Sequence, residues 1–387
     1  MRLLIISYER LISNGSAGTA VMCGLVDAAL RRDFEVTYVA ICTSLIPQSW
    51  EHPFDFGSNV RHLRQALLLY TREPKGPWQR FIGSFNHAAV SKFTHINERS
   101  ELQEVYDCVI AFDSLAISLS SRVSAAKKIS ILGDPAGRRI WHTSPWSKPV
   151  MKLKAFLVEI AELAFFALTP RRDVLAMFGS GHSKFWSRML ARKVLDLRPF
   201  LNSPLVDLHT KRGDLPIIYF GGTLAGTASR QSITSIFDAI LPALRSRLGR
   251  GMFELRFVGD STEYFQRLSR PHCEIKLLGR VASFEVELAA GDIFILPMNY
   301  PVGVRTRVCS ALAAGNICLV HPSVLFNMPE LEKCEAVKVV ASAADYAAAI
   351  ADLPMGAGMV RLRKIARQFF DSHYSSQTAA APLLNII

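Results

Sequence analysis

The sequence predicts an α/β protein made of two Rossmann-like domains, each with a parallel sheet covered by helices. The chain has 387 residues, more than a single hydrophobic core usually organises, so two domains are expected. Short apolar segments alternate with helical patterns, which is typical of parallel sheets. The alternation breaks at residues 199–213, which are rich in Pro, Asn, Ser and charge, and then restarts. That break predicts a linker.

The first half opens with a strand–helix–strand unit. Its first strand is short and entirely apolar, which favours a parallel sheet covered on both faces. Two later strands end at Asp113 and at Asp134, and ligands of doubly wound folds bind at the carboxyl ends of strands. The predicted strands are residues 3–6, 34–39, 108–112 and 128–132, and the first predicted helix is residues 19–31.

The second half repeats the pattern with strands, turns and helices. The buried strand at residues 216–220 leads into a glycine turn and an amphipathic helix at residues 232–248. The further predicted strands of this half are residues 253–258, 274–278, 293–296 and 317–320. A second parallel α/β domain follows from this order.

The composition restricts the kinds of protein this can be. Half of the residues are apolar and a fifth are charged, which excludes a disordered or fibrous chain. The formal net charge of +12 favours an anionic partner. The sequence lacks a helix-turn-helix and any interleaving of aromatic and basic residues, so nucleic acid is not the expected partner.

Cysteine usage and hydropathy indicate a cytoplasmic protein. The seven cysteines are scattered without a CxxC pair, so we expect neither a disulfide framework nor a metal site. The N-terminal apolar run is too short for a signal peptide. The most apolar stretch, residues 151–168, contains two Lys and two Glu and does not qualify as a membrane span.

One basic stretch carries the positive charge of the first half. Residues 138–198 contain 12 basic and four acidic residues. A solvated helix face explains such a stretch, because lysine stems cover apolar neighbours. The alternative is a surface for anionic lipid, which would place the protein peripherally on the cytoplasmic face of a membrane.

Two strand-to-helix turns in the second half favour a phosphate-bearing ligand. In the first, Gly222 lets the backbone approach a ligand closely, and Arg230 adds a charge in the following helix. In the second, Gly303, Arg305 and Arg307 lie at the start of a helix. Cations there oppose the helix dipole, whereas an anion held between them and the backbone N–H groups removes the conflict.

The series of motifs in the second half resembles the nucleotide-binding domain of GT-B-fold glycosyltransferases, particularly the retaining family four, also called group 1. The matching segments are Gly222, Val258-Gly259-Asp260, Leu278-Gly279-Arg280-Val281, Asp292 with Leu296-Pro297, and residues 303–315. The resemblance implies two Rossmann-like domains that face each other across a cleft. It also implies an acceptor-binding domain at residues 1–205, a nucleotide-sugar domain at residues 213–358, and a C-terminal helix at about 360–373 that packs back onto the first domain.

The resemblance also implies an activity. A sugar would move from a nucleotide-diphosphate sugar to a glycan or lipid-linked acceptor, in a retaining hexosyl transfer used in surface polysaccharide synthesis, with no cofactor or metal. Arg305, Arg307 and Arg230 would stabilise the leaving diphosphate, because fixed cations act where negative charge develops. The base and ribose would lie near Gly279, Arg280, Val281 and Ser310.

The acceptor site is assigned from the weaker resemblance of the first half. Gly15 and Gly18 occupy the place of the family's first acceptor-domain loop, and the acceptor would lie against Gly15, Asp134 and Arg138. Asp134 would serve as general base if the enzyme inverts. A structural cap of the following turn is the competing interpretation of Asp134.

The sequence also departs from the family pattern. Two glutamates eight positions apart are typical, and here these positions are Val302 and Ser310. Ser310 can hydrogen-bond but supplies no carboxylate. Two other functions therefore stay open, a non-catalytic GT-B-like partner subunit and a nucleotide-sugar epimerase.

Overall fold

A computed structural model gives the fold as two compact units. The first comprises Met1–Asn202 and Ser376–Ile387, and the second comprises Ser203–Ser375. The structure describes residues 1–9, 11, 17–42, 54–69, 100–143, 148–204, 215–222, 224, 227–259, 274–354 and 356–387.

Thirteen strands in the described residues form one parallel sheet in each unit. In chain order they are β1 Arg2–Ser7, β2 Glu35–Cys42, β3 Leu63–Leu69, β4 Val105–Phe112, β5 Ser124–Leu132, β6 Val174–Phe178, β7 Val194–Leu197, β8 Ile217–Gly221, β9 Glu254–Val258, β10 Ile275–Gly279, β11 Ile293–Leu296, β12 Ile317–Val320 and β13 Val337–Val339. The first sheet has the order β3-β2-β1-β4-β5-β6-β7, and the second has the order β10-β9-β8-β11-β12-β13. The prediction of two parallel α/β domains is confirmed.

Helices connect these strands. In chain order they are α1 Ala17–Leu30, α2 Ser100–Gln103, α3 Ser114–Ser120, α4 Ala136–Thr143, α5 Pro149–Ala167, α6 Ser180–Met189, α7 Thr227–Ser235, α8 Leu241–Leu248, α9 Phe284–Ala289, α10 Thr306–Ala313, α11 Ala343–Ala351, α12 Ala357–His373 and α13 Ser376–Leu384. A π-helical turn at Ile236–Ile240 joins α7 to α8. In the described part of the chain, no helix combines the length and the apolar character needed to span a membrane.

Each sheet is buried in its own core. In the first unit Leu4 and Val109 belong to a cluster that also contains Trp186 of α6. The Trp186 ring meets Phe166 edge to face, with 5.3 Å between the ring centroids. In the second unit all side chains of β11 and β12 are buried. Burial of a large apolar side chain contributes about 1.5–3 kcal/mol, so the buried central strands stabilise both sheets.

The strand orders define one topological switch point in each sheet. β1 lies between β2 and β4, and β8 lies between β9 and β11. At such a point the connections leave to opposite sides, and the loops at the carboxyl ends of the two central strands open a crevice. Candidate sites are therefore expected after β1 and β4 and after β8 and β11.

The C-terminal helix expected at about residues 360–373 has its contacts within the second unit. Residues 360–373 lie in α12, which belongs to the second unit. Arg363 of α12 donates hydrogen bonds to the carbonyls of Gly291 and Ala289 and pairs with Asp292 at 3.5 Å. Arg367 donates to the Ala313 carbonyl at 3.0 Å. These buried guanidinium contacts fix α12 to the sheet of its own unit.

The helix that joins the first unit is α13 instead. The Ser376 N–H donates to the Leu201 carbonyl at 2.7 Å, and its hydroxyl donates to Asp27 of α1 at 3.3 Å. Arg32 donates to the Asn385 side chain at 2.8 Å. The boundaries of the units thus fall at 202/203 and 375/376, whereas 1–205 and 213–358 were expected.

Candidate functional site

Gly222 follows β8 at the switch point of the second unit. Its φ of +114° is accessible to few residues other than glycine. Its N–H donates to the Val258 carbonyl at 2.8 Å, which closes the turn onto β9. A Cβ placed on Gly222 would lie 2.1 Å from Nε of Arg307. The structure therefore brings the predicted glycine and the predicted arginine into direct contact.

Arg307 lies in the first turn of α10, and its side chain is half-buried. Its Nη1 donates to the Ser229 hydroxyl of α7 at 3.1 Å. Burial lowers the pKa of Arg307 to about 10, and the neighbouring Arg305 cation acts in the same direction. The side chain stays charged at neutral pH, so this turn holds a desolvated cation.

Arg305 precedes α10 and is fixed by the loop that follows β11. Its Nη2 donates to the Tyr300 carbonyl at 2.9 Å, and the guanidinium carbon lies 5.2 Å from the centroid of the Tyr300 ring. Gly303 has a φ of +70°, and its carbonyl accepts a hydrogen bond from the Asn327 side chain at 3.0 Å. These contacts position the loop before any ligand binds, which is the preorganisation that electrostatic stabilisation requires.

The charges at this turn favour an anion. Arg305 and Arg307 lie beside each other at the N-terminus of α10, where the helix dipole is also positive. The two guanidinium groups repel each other, and the backbone N–H groups of the helix start add to the positive charge. A phosphate or diphosphate group relieves that repulsion and can accept bidentate hydrogen bonds.

Other predicted donor residues lie around the same sheet edge. The Gly259 N–H donates to the Gly279 carbonyl at 2.7 Å, and a Cβ on Gly259 would lie 1.9 Å from the Gly222 carbonyl oxygen. The turns after β8, β9 and β10 are thus stacked against one another. Gly279 has a φ of +65° and open space at its Cβ position. Arg280 is exposed, and Val281 is half-buried.

Ser310 and Arg230 complete the predicted donor residues. Ser310 is half-buried and follows Arg307 by three residues, which places both on one face of α10. Arg230 is exposed on α7, next to Ser229, which contacts Arg307. Sequence reasoning missed Ser229 and Tyr300, because their role depends on contacts between separate elements.

The switch point of the first unit carries carboxylates. Asp113 follows β4 with φ 72° and ψ 163°, a conformation that costs a non-glycine residue about 1–3 kcal/mol. Burial, together with the nearby carboxylates of Asp134 and Glu9, raises the pKa of Asp113 to about 6, and the charge of Arg139 opposes this rise. A perturbed carboxylate at a strand end is a candidate functional group.

Glycines make room for these carboxylates. A Cβ on Gly133 would lie 2.0 Å from Oδ1 of Asp113, and a Cβ on Gly18 would lie 2.4 Å from Oε1 of Glu9. The other Glu9 oxygen accepts a hydrogen bond from the Thr19 hydroxyl at 2.7 Å. Gly18, predicted as part of the acceptor loop, therefore lies at this edge of the sheet. In the described residues, no group of three or more His, Cys, Asp or Glu could hold a metal ion.

The other acceptor candidates have different surroundings. Asp134 is exposed, and its negative charge raises the pKa of Asp113. Arg138 donates to Glu159 of α5 at 2.9 Å, and its guanidinium carbon lies 3.6 Å from the centroid of the Phe185 ring. Arg138 thus joins α4 to α5 and α6. Gly15 lies outside the described residues.

The second unit is similar to a known family. Residues 216–354 match the model of the family "Glycosyl transferases group 1". The resemblance to group 1 glycosyltransferases is confirmed. The matched range contains Gly222, Arg305 and Arg307, so the cationic turn lies within the part of the chain that resembles this family. No curated protein sequence matches the chain.

Solved structures share the fold along the whole chain. HepE from Anabaena in complex with UDP superposes with a TM-score of 0.60 at 14% identity, covering 100% of both chains. The α,α-trehalose 6-phosphate synthase from Burkholderia multivorans has a TM-score of 0.64 at 10% identity, covering 100% of this chain and 96% of that one. WaaG, a glycosyltransferase involved in lipopolysaccharide biosynthesis, has a TM-score of 0.60 at 11% identity, covering 99% of this chain and 98% of that one. The fold is the GT-B fold.

Proposed function

We propose that the chain is a glycosyltransferase that moves a sugar from a nucleotide-diphosphate sugar to the hydroxyl of a glycan or lipid-linked acceptor. The observation that carries this proposal is the contact of Arg307 with Gly222 beside Arg305, at the switch point of the group 1 domain. Such a turn suits a diphosphate better than a neutral ligand. HepE, a structural neighbour, binds UDP and UDP-glucose, which makes uridine diphosphate sugars the first donors to test.

The proposed chemistry is the transfer of an anomeric carbon between two oxygens. The bond between the anomeric carbon and the β-phosphate oxygen breaks, and its electron pair stays on the diphosphate. Arg305 and Arg307 neutralise that charge as it grows, with Arg230 as a further cation nearby. A new bond forms between the anomeric carbon and the acceptor oxygen.

The proton of the acceptor hydroxyl has two possible destinations. In a retaining transfer, the outcome we propose, the leaving diphosphate takes it. In an inverting transfer a carboxylate of the first unit would take it, and Asp113 and Asp134 are the candidates there. The base and ribose of the donor would lie near Gly279, Arg280, Val281 and Ser310, the positions at which group 1 members hold them.

The remaining parts of the proposal concern context. We propose a hexosyl donor, no metal or cofactor, and a role in surface polysaccharide synthesis at the cytoplasmic side of a membrane. The structural neighbour WaaG, a glycosyltransferase involved in lipopolysaccharide biosynthesis, supports the polysaccharide context by analogy of fold.

A donor panel tests the proposed function. Purified chain is mixed with uridine, guanosine, adenosine and thymidine diphosphate sugars, and both binding heat and release of free nucleotide are measured. We expect saturable binding of at least one donor, with slow nucleotide release that a suitable acceptor accelerates. The Arg361→Gln variant is a matched control, because Arg361 is an exposed arginine of the same unit that pairs with Glu335.

The same panel separates the alternatives. An isomerised sugar without nucleotide release would show an epimerase. The absence of binding to every donor would favour the non-catalytic partner subunit and contradict the proposed function.

A further inference from the structure

An apolar face runs along the outside of α5. Val150, Leu153, Leu157 and Ile160 are 77%, 59%, 40% and 47% exposed. Their spacing of three and four residues places them on one side of the helix. Phe156, at 55% exposure, widens this face. These five residues are called the α5 face below.

The α5 face stands out from the rest of the surface. The described part of the chain has 18 exposed large apolar side chains, and eight of them lie between residues 141 and 168. Single exposed apolar residues are normal on a protein surface, but a contiguous patch marks an interaction site. The opposite side of α5 is buried in the first unit through Ala155, Val158 and Phe166.

The acidic residues of α5 are turned away from the α5 face. Glu162 accepts hydrogen bonds from the backbone N–H groups of Ala136 and Gly137, at 3.0 and 3.4 Å. Glu159 pairs with Arg138 of α4 at 2.9 Å. Both carboxylates are therefore used to hold α4 against α5.

The basic residues of α5 flank the apolar face instead. With about 100° of rotation per residue, Lys152 and Lys154 fall on its two opposite sides. Lys148 precedes the helix and is exposed. Lys152 also donates to the Trp141 carbonyl, and its ammonium nitrogen lies 4.7 Å from the centroid of the Trp141 ring. Trp141 is 36% exposed and extends the patch onto α4.

We propose that the α5 face, with Trp141, is a docking surface for an anionic lipid bilayer. A helix with an apolar stripe flanked by lysines lies in the plane of a bilayer, with its stripe about 5–10 Å into the boundary of headgroups and acyl chains. The lysines and the tryptophan then lie at headgroup level, where cations meet anionic lipid. The basic excess of residues 138–198 supplies the matching long-range attraction.

Charge decides in favour of a bilayer over a second copy of this chain. Two copies that met through the α5 face would bring their flanking lysines together, and like charges repel. The docking proposal rests on the proposed function only in that a lipid-linked acceptor would be reached at such a surface. Docking itself does not depend on sugar transfer.

Vesicle sedimentation of the full chain tests this surface. The probes are vesicles of phosphatidylcholine alone and vesicles in which part of it is replaced by phosphatidylglycerol. The variant is the triple substitution Leu153→Ser, Leu157→Ser, Ile160→Ser, whose sites are exposed. The matched control is Met252→Ser, Val286→Ser, Val360→Ser, three exposed apolar residues of the second unit.

We expect wild type and control to sediment with the anionic vesicles much more than with the neutral ones. The partition coefficient of the α5 triple variant onto anionic vesicles should be about tenfold or more lower than that of wild type, because three apolar side chains no longer enter the bilayer. Lys148→Gln with Lys154→Gln should lose the preference for anionic vesicles. Melting temperatures of all variants check that the fold is intact.

Two outcomes would overturn the docking proposal. One is sedimentation of the α5 triple variant equal to that of wild type, or no binding of wild type to either vesicle. The other is a change from oligomer to monomer in light scattering without vesicle binding, which would make the face a protein interface. Nucleotide release without vesicles, measured on the same variants, reports on the proposed function separately.

Discussion

The two units place opposite charges at the same topological position. After the central strands β8 and β11, the second unit has Arg307 against Gly222, with Arg305 beside it. After the corresponding strands β1 and β4, the first unit has Glu9 and Asp113. The sheet topology determines where a crevice opens in each unit. The side chains at the strand ends then determine whether that crevice attracts an anion or a polar, proton-donating ligand.

The units also differ in how the backbone accommodates the charged side chain at the strand end. In the second unit a glycine with positive φ lies against the arginine. In the first unit the candidate residue Asp113 itself has the positive φ, and Gly133 faces its carboxylate. The first arrangement is unstrained and stable, while the second stores strain at the site, as functional residues often do.

The largest expected effect is the loss of the Arg307 cation. The Arg307→Gln variant should lose turnover by about 100-fold to 1,000-fold, as removal of one stabilising donor does in other enzymes. Its melting temperature should stay close to that of wild type, because the substitution relieves repulsion with Arg305. The measurement is nucleotide release under saturating donor, together with thermal unfolding. Arg361→Gln should keep both values, and a nearly wild-type rate in Arg307→Gln would remove this residue from the diphosphate site.

A second test concerns the titration of Asp113 in the first unit. Its pKa rises from the ordinary 3.8 to about 6 in the folded state, so the folded protein binds this proton more tightly than the unfolded chain. Stability should therefore fall as pH rises from about 4 to about 6, by up to about 3 kcal/mol at about 1.4 kcal/mol per pKa unit. Urea unfolding across this range should show a smaller slope in Asp113→Asn than in wild type, and the remaining slope comes from Glu162, whose pKa burial raises to about 7.

The control for that slope is Asp134→Asn. Removing the exposed Asp134 charge takes away one cause of the raised pKa of Asp113, so the slope should weaken and move to lower pH. Asparagine tolerates positive φ, so Asp113→Asn keeps the backbone conformation. A slope in Asp113→Asn equal to that of wild type would show that Asp113 does not contribute to it.

Most strands in the middle of the sheets could be predicted from the sequence, and most strands at the edges could not. β11 and β12 are continuous apolar runs because both faces of a parallel sheet are covered, and their predicted bounds match the structure. β3, β7, β10 and β13 are the edge strands, and of these only β10 was predicted with bounds, at residues 274–278. β13 is short, with exposed Lys338 at its centre, so it lacks the apolar signature.

The residues of the candidate sites were also predicted only in part. Gly222, Arg305 and Arg307 were found because each lies in a local strand–turn–helix segment with a readable motif. Glu9 was missed, and Asp113 was noted only as a strand end. Their proximity comes from the pairing of β1 with β4, in which Ile6 lies beside Ala111. No local sequence pattern indicates that long-range pairing or the positive φ of Asp113.

The smallest expected effect is that of alanine at Gly222. A comparison with alanine at Gly251 separates the cost of backbone strain from the effect of displacing Arg307. Gly222→Ala places a methyl group where Arg307 Nε lies, 2.1 Å from the ideal Cβ, and also forces alanine into φ +114°. Gly251→Ala imposes positive φ, at +76°, but its Cβ meets open space. Both should lose about 1 kcal/mol of stability through strain. Only Gly222→Ala should also lose turnover, by about tenfold, because a displaced guanidinium no longer faces the developing charge. Equal turnover in the two alanine variants would mean that the contact between Gly222 and Arg307 serves the fold and not the reaction.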